Sequence, residues 1–353
     1  MRKNLTKGVT TMAKYVTFGE IMLRLTPPGH DVLFQTPRLE ATFGGAEANV
    51  AVSLANYGED VAFVTAAPAN PIGDAMLREL RGFGVDTRFI RRCGDRLGVY
   101  YTETGSNMRP SKVIYDRAHS SVSEVEPGDF DWNIVFDGAK WFHTTGITPA
   151  IAEGTAKTAL GAMKRAKEKG LTVSCDLNYR KKLWKWGKTP KEVMSEMAQY
   201  IDVMIANEED CQKCLGIELD VDVTSGKLDA SKYEALARKI MATYKNVQYL
   251  AVSLRESMSA DWNNWSVVLA SKDRFYVSKK YEIRDIVDRI GGGDSFGSGL
   301  IWGLNNLDGL QAALEFAAAA SALKHTIYGD FNRVSRDDVL TLMGGDASGR
   351  VQR

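Results

Sequence analysis

The chain has 353 residues, of which 44% are hydrophobic and 25% charged, so it is long enough to bury a sizeable core. Its 45 basic and 44 acidic residues nearly cancel, and this balance argues against nucleic acid or an anionic membrane as a partner. Residues 1–13 are polar and basic without an apolar core, so we interpret them as an N-terminal extension rather than a secretory signal. We expect a cytoplasmic protein.

The cysteines and histidines do not suggest a metal centre. Cys211 and Cys214 form a single Cys-x-x-Cys motif, but a structural zinc ion needs four ligands and no second pair is present. The histidines also lack metal-binding spacing, and we expect structural or surface roles for them.

Short apolar runs alternate with segments of helical periodicity along most of the chain. This alternation predicts an α/β fold with a mostly parallel central sheet and helices on both faces, spanning residues 14–345 with a C-terminal tail at 346–353. The predicted strands are 15–25, 61–66, 141–145, 173–176, 203–206 and 249–253, and the predicted helices are 45–57, 73–83, 151–169 and 230–244.

Two segments interrupt this alternation. Residues 21–43 and 97–122 are polar, rich in turns and prone to β-structure, and each is too long for a simple loop. We predict that they form a small β-sheet that projects from the main sheet as a lid over a site. A third β-rich segment, 265–277, is typical of a hairpin.

The strongest candidate site is the glycine run Gly291, Gly292 and Gly293, followed by Asp294 and an amphipathic helix. Unpaired N–H groups at a helix N-terminus bind anions, and glycine lets the backbone approach a phosphate closely. A carboxylate beside a transferring phosphoryl group is useful when it accepts a proton from an attacking alcohol. The alternative is an ordinary turn with a helix-favouring acid.

Two further motifs lie where open α/β sheets bind ligands, beyond the ends of predicted strands. Gly44 and Gly45 begin a helix, and Asn49 offers an amide donor and acceptor for sugar hydroxyls; a helix-entry turn is the alternative. Asn178 and Arg180 follow a strand in a pattern suited to binding phosphate or carboxylate groups, with a surface turn as the alternative.

In this order and spacing, the three motifs resemble the ribokinase (PfkB) family of sugar kinases from about residue 16 to about 342. In that family a G-G-x-x-x-N segment holds the sugar, and a late G-A-G-D segment supplies the anion hole and the catalytic base. The resemblance implies Asp294 as the base. The sequence departs from the family pattern at Gly292, where alanine is usual, and at Arg289, where threonine is usual.

The resemblance also implies ATP and Mg²⁺, and it allows a monovalent cation. The family's N-x-x-E motif, which helps to position magnesium, occurs here with Asn207 first and Asp210 in place of the glutamate, and Glu209 is a second candidate. The nucleotide loop departs from the glycine-bearing family pattern, and Ser253, Arg255 and Ser257 become the candidate contacts.

The late motif, the nucleotide loop and residues 324–332 resemble the branch that phosphorylates 2-keto-3-deoxygluconate at its 6-hydroxyl. This resemblance implies that Tyr101, Tyr115 and Arg117 contact the sugar acid, with Arg180 as a second cation. A solvated charge is the alternative for Arg117. We also expect a homo-oligomer, a dimer formed through the lid. Two functions stay open: a neutral-sugar kinase such as a fructokinase, and an inactive kinase fold that senses sugar or nucleotide.

Overall fold

The computed structural model describes residues 13–218, 230–347 and 349. Apart from Ala13, the predicted N-terminal extension lies outside the described residues, as does most of the predicted C-terminal tail. Among the described helices, none combines the length and apolar character that crossing a membrane requires.

The described residues form fourteen strands and eleven α-helices. The strands are β1 (Tyr15–Phe18), β2 (Met22–Thr26), β3 (Glu40–Gly44), β4 (Val61–Ala67), β5 (Ile90–Arg92), β6 (Gly98–Glu103), β7 (Lys112–Asp116), β8 (Trp141–Thr145), β9 (Thr172–Asp176), β10 (Val203–Ala206), β11 (Tyr249–Ser257), β12 (Asn263–Ser271), β13 (Phe275–Val277) and β14 (Tyr281–Ile283). The helices are α1 (Ala46–Asn56), α2 (Pro71–Gly82), α3 (Trp132–Val135), α4 (Ile147–Ile151), α5 (Glu153–Glu168), α6 (Pro190–Met197), α7 (Glu208–Leu215), α8 (Ala230–Thr243), α9 (Gly292–Asn306), α10 (Leu310–Lys324) and α11 (Arg336–Met343).

The central sheet has the order β13-β12-β11-β10-β9-β8-β1-β4-β5, and β14 also pairs with β12. Pairing is parallel from β11 through to β5 and antiparallel where β12 meets β11, β13 and β14. The predicted mostly parallel sheet is confirmed. The carboxyl ends of β9, β10 and β11 therefore lie side by side at one edge of the sheet.

The predicted strand at 15–25 is wrong in one respect, because the structure divides it into β1 and β2. The break lies at Gly19, where a Cβ atom would stand 2.1 Å from the carboxylate of Glu47. The chain leaves the central sheet at this close contact and enters a second sheet at Met22.

Helices cover both faces of the central sheet. One buried cluster includes α5, α6, α7 and α8, and the other includes α1, α2, α9 and α10. The pair α9 and α10 packs closely, because a Cβ atom at Gly299 would lie 2.8 Å from the Cα atom of Ala317. This packing fixes the direction in which the N-terminus of α9 points.

The second sheet is the predicted lid, with the order β3-β2-β6-β7. Because side chains alternate along a strand, its two faces differ. Tyr100 pairs with Tyr115 and faces the cavity described below, whereas Tyr101 pairs with Ile114 on the opposite face. The site lies between the cavity-facing side of this lid sheet and the carboxyl edge of the central sheet.

Candidate active site

A cavity of about 830 Å³ lies beneath the lid. Its walls come from sequence-distant places: the start of α1, the lid strands, the ends of β9, β10 and β11, and the N-terminus of α9. Most of the predicted site residues meet here, namely Gly45, Asn49, Tyr115, Arg117, Asn178, Arg180, Asn207, Glu209, Asp210, Ser253, Arg255, Ser257, Gly291, Gly292, Gly293 and Asp294.

Asp294 lies in the first turn of α9 and is half-buried in the cavity wall. The Nδ2 atom of Asn49 donates a hydrogen bond of 2.6 Å to its Oδ2 atom. Asn49 is held in turn, because the Gly45 N–H donates to its Oδ1 atom at 3.2 Å. Burial raises the pKa of Asp294 to about 6, and the Asn49 hydrogen bond opposes that rise. Asp294 is therefore ionised at neutral pH and close to the range in which a carboxylate accepts protons efficiently.

The backbone before Asp294 forms an open anion cradle. Gly291 adopts a left-handed conformation with φ of 84° and caps α9. A Cβ atom at Gly291 would collide with the Asp330 carbonyl oxygen at 2.1 Å, whereas one at Gly293 would meet nothing within 4 Å. The N–H groups of Gly293 and Asp294 make no hydrogen bond within the described part of the chain. These free donors and the helix dipole favour a negatively charged group at this position.

The lid side of the cavity carries a buried charge network that is already complete. Arg24 is 1% exposed and forms ion pairs with Asp288 at 2.6 Å and Asp330 at 2.9 Å. The Tyr100 hydroxyl donates to the same Asp330 carboxylate at 2.5 Å. Asp330 and Tyr100 line the cavity, so they present an acceptor and an aromatic ring whose positions are fixed by Arg24.

Arg117 also lines the cavity, but its charge is paired. It forms a buried ion pair with Glu20, whose carboxylate accepts a further hydrogen bond of 2.7 Å from Ser120. The guanidinium lies over the Tyr115 ring, 5.4 Å from its centre. A substrate carboxylate would therefore share this guanidinium with Glu20 rather than meet a free cation.

Two predicted substrate contacts lie outside the cavity lining. The prediction selected Tyr101, but that side chain is on the other face of β6, and its neighbour Tyr100 reaches the cavity instead. Gly44 also lies outside the lining. A Cβ atom there would stand 2.0 Å from Asp330, so Gly44 makes room for that carboxylate.

The opposite side of the cavity carries two guanidinium groups that form no ion pair within the described part of the chain. Arg180 and Arg255 make no ion pair with any described residue. Partial burial and the neighbouring Arg180 charge lower the pKa of Arg255. Two guanidinium groups side by side, near free backbone donors, suit a polyphosphate ligand.

Acidic side chains lie beside these arginines. Asp210 accepts hydrogen bonds from the Tyr179 N–H at 2.8 Å and the Asn207 N–H at 3.0 Å. Burial raises the pKa of Asp210 to about 6. Asp176 lies nearby, and burial together with the Asp210 charge raises its pKa well above the usual range. No group of three or more described His, Cys, Asp or Glu side chains has a metal-binding arrangement.

Comparison with known proteins shows the family. The sequence profile of the pfkB family of carbohydrate kinases matches residues 12–333. This chain belongs to the PfkB family. A curated relative, 2-dehydro-3-deoxygalactonokinase of Haloferax volcanii, is 35% identical over 95% of this chain and 98% of its own.

Solved structures agree with this family membership. The crystal structure of 2-dehydro-3-deoxygluconokinase from Thermotoga maritima is 49% identical with a TM-score of 0.89, covering 94% of this chain and 100% of that one. A fructokinase with bound ATP from Xylella fastidiosa shares the fold, with 22% identity, a TM-score of 0.75, and coverage of 94% and 99%. The protein is a carbohydrate kinase, a phosphotransferase with an alcohol group as acceptor.

The departures of this kinase from the family pattern have local physical reasons. Gly292 replaces alanine because a Cβ atom there would stand 2.8 Å from the His325 ring. Asp210 caps α7, since it exchanges hydrogen bonds with Asn207 across the first turn. The N–H of Tyr179 also donates to Asp210. The aspartate side chain, which is shorter than the glutamate of the family pattern, therefore connects the loop after β9 to the start of α7.

Sequence reasoning missed several side chains of this site. Glu20, Tyr100, Asp176, His325 and Asp330 all line the cavity. Asp330 lies in residues 324–332, which the resemblance had singled out without assigning a role. Tyr100 adjoins the tyrosine that was selected. Glu20 carried no signal of its own, because its partner is 97 residues away.

Proposed function

We propose that this carbohydrate kinase transfers the γ-phosphoryl group of ATP to the 6-hydroxyl of 2-keto-3-deoxygluconate. The names of the Thermotoga maritima and Haloferax volcanii proteins support a sugar-acid substrate. The observation that carries the proposal is the place of Asp294, which stands between the lid side and the arginine side of one cavity and beside unpaired backbone donors.

In the proposed reaction, Asp294 accepts the proton of the attacking hydroxyl. The new bond joins the sugar oxygen to the γ-phosphorus while the bond from that phosphorus to the leaving oxygen of ADP breaks. The N–H groups after Gly291 and the dipole of α9 stabilise negative charge on the transferring group. Asn49 holds the Asp294 carboxylate in one orientation, which favours proton transfer along a fixed line.

In this proposal the lid side of the cavity binds the sugar and the arginine side binds the triphosphate of ATP. Sugar hydroxyls would meet Gly45, Asn49 and Tyr115, with Asp330 as a further acceptor and Arg117 near the sugar carboxylate. The triphosphate would meet Arg180 and Arg255. The remaining nucleotide contacts would come from polar groups at the ends of β9, β10 and β11, namely Asn178, Asn207, Ser253 and Ser257.

The acidic groups of the cavity fit Mg²⁺ bound mainly through water and phosphate oxygens, the mode that this ion prefers with nucleotides. Glu209 and Asp210 would hold its water shell, with Asp176 close by. When bound, the ion would neutralise phosphate charge during transfer. Asp210 already accepts two backbone hydrogen bonds, and these fix the position of its carboxylate in the cavity wall.

A monovalent cation, which the resemblance allows, is also part of the proposal. Beside the anion cradle the structure places Lys324, whose side chain is buried and donates to the Ile327 carbonyl oxygen at 3.1 Å. Burial lowers the pKa of Lys324, and the nearby Asp288 and Asp330 charges oppose that shift. Turnover that differs between sodium and potassium buffers would support a monovalent cation, and equal turnover would support the Lys324 ammonium group in its place.

A neutral-sugar kinase is the second candidate, and one observation favours it. Arg117 is paired with Glu20, so among the described residues it is not the free cation that a sugar carboxylate would need. Steady-state phosphorylation across 2-keto-3-deoxygluconate, gluconate, fructose and ribose separates the two. The proposal expects the highest kcat/KM with 2-keto-3-deoxygluconate; a preference for fructose or ribose would contradict it. No ATP turnover with any sugar would favour an inactive sensing fold.

We also propose a homodimer in the cytoplasm, formed through the outer face of the lid sheet. Cross-strand register places Leu23, Leu25, Val99, Tyr101 and Ile114 together on that face, and Ile114 is 53% exposed. Analytical ultracentrifugation should give twice the chain mass, and Ile114→Glu should lower it toward the monomer. A monomeric parent protein would contradict the proposal.

A further inference from the structure

Arg289, the other departure from the family pattern, lies two residues before Gly291 and also lines the cavity, but its hydrogen bonds go to a turn outside the anion cradle. Its guanidinium donates to the Ala260 carbonyl oxygen at 2.5 Å, to the Asn263 Oδ1 atom at 3.0 Å and to the Ser259 carbonyl oxygen. These acceptors belong to the turn between β11 and β12 or, for Asn263, to the first residue of β12. Threonine has a single hydroxyl on a short side chain and could not span this turn, whereas the planar fork of arginine can.

The same turn also receives the tip of the lid. The Ala260 N–H donates to the Asn107 carbonyl oxygen at 2.7 Å, and the Asn107 N–H donates to the Asp261 carboxylate at 3.1 Å. The contact is close as well as polar, because a Cβ atom at Gly105 would stand 2.9 Å from the Ala260 Cβ atom. The hairpin of β6 and β7 therefore rests on a turn that Arg289 holds.

Further hydrogen bonds hold the residues of this turn in fixed positions relative to one another. The Ser259 hydroxyl donates to Asp261 at 2.5 Å, and the Ile286 N–H donates to the Asp261 carbonyl oxygen at 2.9 Å. Ile286 belongs to the segment that leads from β14 to the glycine run. A displacement of the lid tip would therefore also shift the segment that precedes Gly291, because the turn contacts that segment at both Ile286 and Arg289.

We infer that Arg289 is a positioning residue that links lid closure to the anion cradle. The Arg289 guanidinium fixes the turn relative to Gly291, so the lid tip packs against a surface that does not shift. A closed lid then keeps Tyr100 and Tyr115 over the sugar and keeps water from the γ-phosphate. The kinetic consequences rest on the proposed function, but the mechanical link does not.

The first test measures the link without any substrate. Hydrogen–deuterium exchange is followed at residues 103–112 and 257–263 in the parent chain, in Arg289→Thr and in Arg289→Lys. Arg289→Thr should speed exchange in both segments, and Arg289→Lys should restore part of the protection, since an ammonium group still donates to the carbonyl oxygens. Arg336→Thr, which changes an exposed arginine on α11, is the matched control and should leave both segments unchanged.

The second test measures the kinetic consequence. Loss of a charged hydrogen-bond network of this kind should raise the sugar KM of Arg289→Thr about tenfold. It should also raise the ratio of sugar-free ATP hydrolysis to sugar phosphorylation, because an open lid admits water. A purely structural role would lower the melting temperature without changing that ratio. Asp261→Ala should give similar changes, and the double variant should show less than the sum of both.

The two tests separate the inference from the proposed function. Faster exchange at the lid tip in a protein that phosphorylates none of the sugars would keep the link and end the proposed function. An active enzyme in which Arg289→Thr leaves exchange at 103–112 and the hydrolysis ratio unchanged would overturn the link. Additive effects of Arg289→Thr and Asp261→Ala would also overturn it.

Discussion

The two sides of the cavity differ in how their arginine side chains are paired. On the lid side every guanidinium is paired within the protein: Arg24 with Asp288 and Asp330, and Arg117 with Glu20. On the opposite side Arg180 and Arg255 form no ion pair with a described residue, although Asp176, Asp210 and Asp294 lie within electrostatic reach of Arg180, and free backbone donors are nearby. The guanidinium groups of the first side are paired before a ligand binds, whereas the arrangement on the second side is incomplete, because its two guanidinium groups can still form ion pairs with an anion.

This difference teaches which substrate each side is built to receive. A preformed network positions hydroxyls and shape with little change in charge, which suits a sugar. An incomplete one gains most from a triphosphate, because each new charge-assisted contact is made where none existed. Asp294 lies at the border of the two sides, where an oxygen from one substrate and a phosphorus from the other would meet.

The largest expected effect is at that border. Asp294→Asn keeps the shape and the contact with Asn49 but cannot accept a proton, so kcat should fall by about 10²–10⁴-fold. The affinity for MgATP, measured by calorimetry, should stay near the parent value, since the arginine side is unchanged. A variant that keeps most of its turnover would remove Asp294 from the role of base.

The completed network should matter most to stability. Arg24→Met would leave Asp288 and Asp330 buried without their cation, at a cost of about 3–5 kcal/mol in the free energy of unfolding. Urea denaturation measures this directly. Arg88→Met, which breaks an exposed ion pair with Asp86, is the matched control and should cost less than about 1 kcal/mol. Similar losses in both variants would contradict the assigned importance of the buried network.

The incomplete side should show its effect in ligand binding rather than in stability. Arg180→Ala should raise the KM for ATP by about tenfold to a hundredfold, because one charged hydrogen-bond contact is worth about 1.5–3 kcal/mol. Arg117→Ala should instead weaken binding of the sugar acid more than binding of neutral sugars. If each variant raised both KM values equally, the division of the cavity into two sides would fail.

The smallest effect expected is a pH dependence centred on Asp294. Its pKa is about 6, so the base form is lost as the pH falls through 6, and kcat/KM should drop about tenfold per pH unit below that point. Titration of Asp294 would not itself unfold the protein: a carboxyl group whose pKa is raised in the folded state stabilises the fold at low pH and loses that contribution as the pH rises through 6. Circular dichroism at pH 5 serves as the control for folding, because burial lowers the pKa of His143 and of His325 and their protonation would destabilise the fold. A flat profile between pH 5 and 8 would contradict the assignment.

The sequence by itself determined the parts that depend on local pattern. Alternating strands and helices gave the parallel sheet, and two turn-rich segments gave the lid. The glycine run, Asn49 and the resemblance located most of the cavity wall. These features follow from periodicity, backbone conformation and spacing, which can be read within a short stretch of chain.

Only the tertiary structure decided how the charges are paired. Arg117 meets Glu20 across 97 residues and Arg24 meets Asp330 across 306, and no local pattern records such partners. The choice between Tyr100 and Tyr101 depended on which face of β6 turned inward, and a shift of one residue reverses that face. The role of Arg289 appeared only when the turn between β11 and β12 and the lid tip were brought together. Ion-pair partners and the inward face of a strand depend on how distant elements pack together, so a local stretch of sequence does not reveal them.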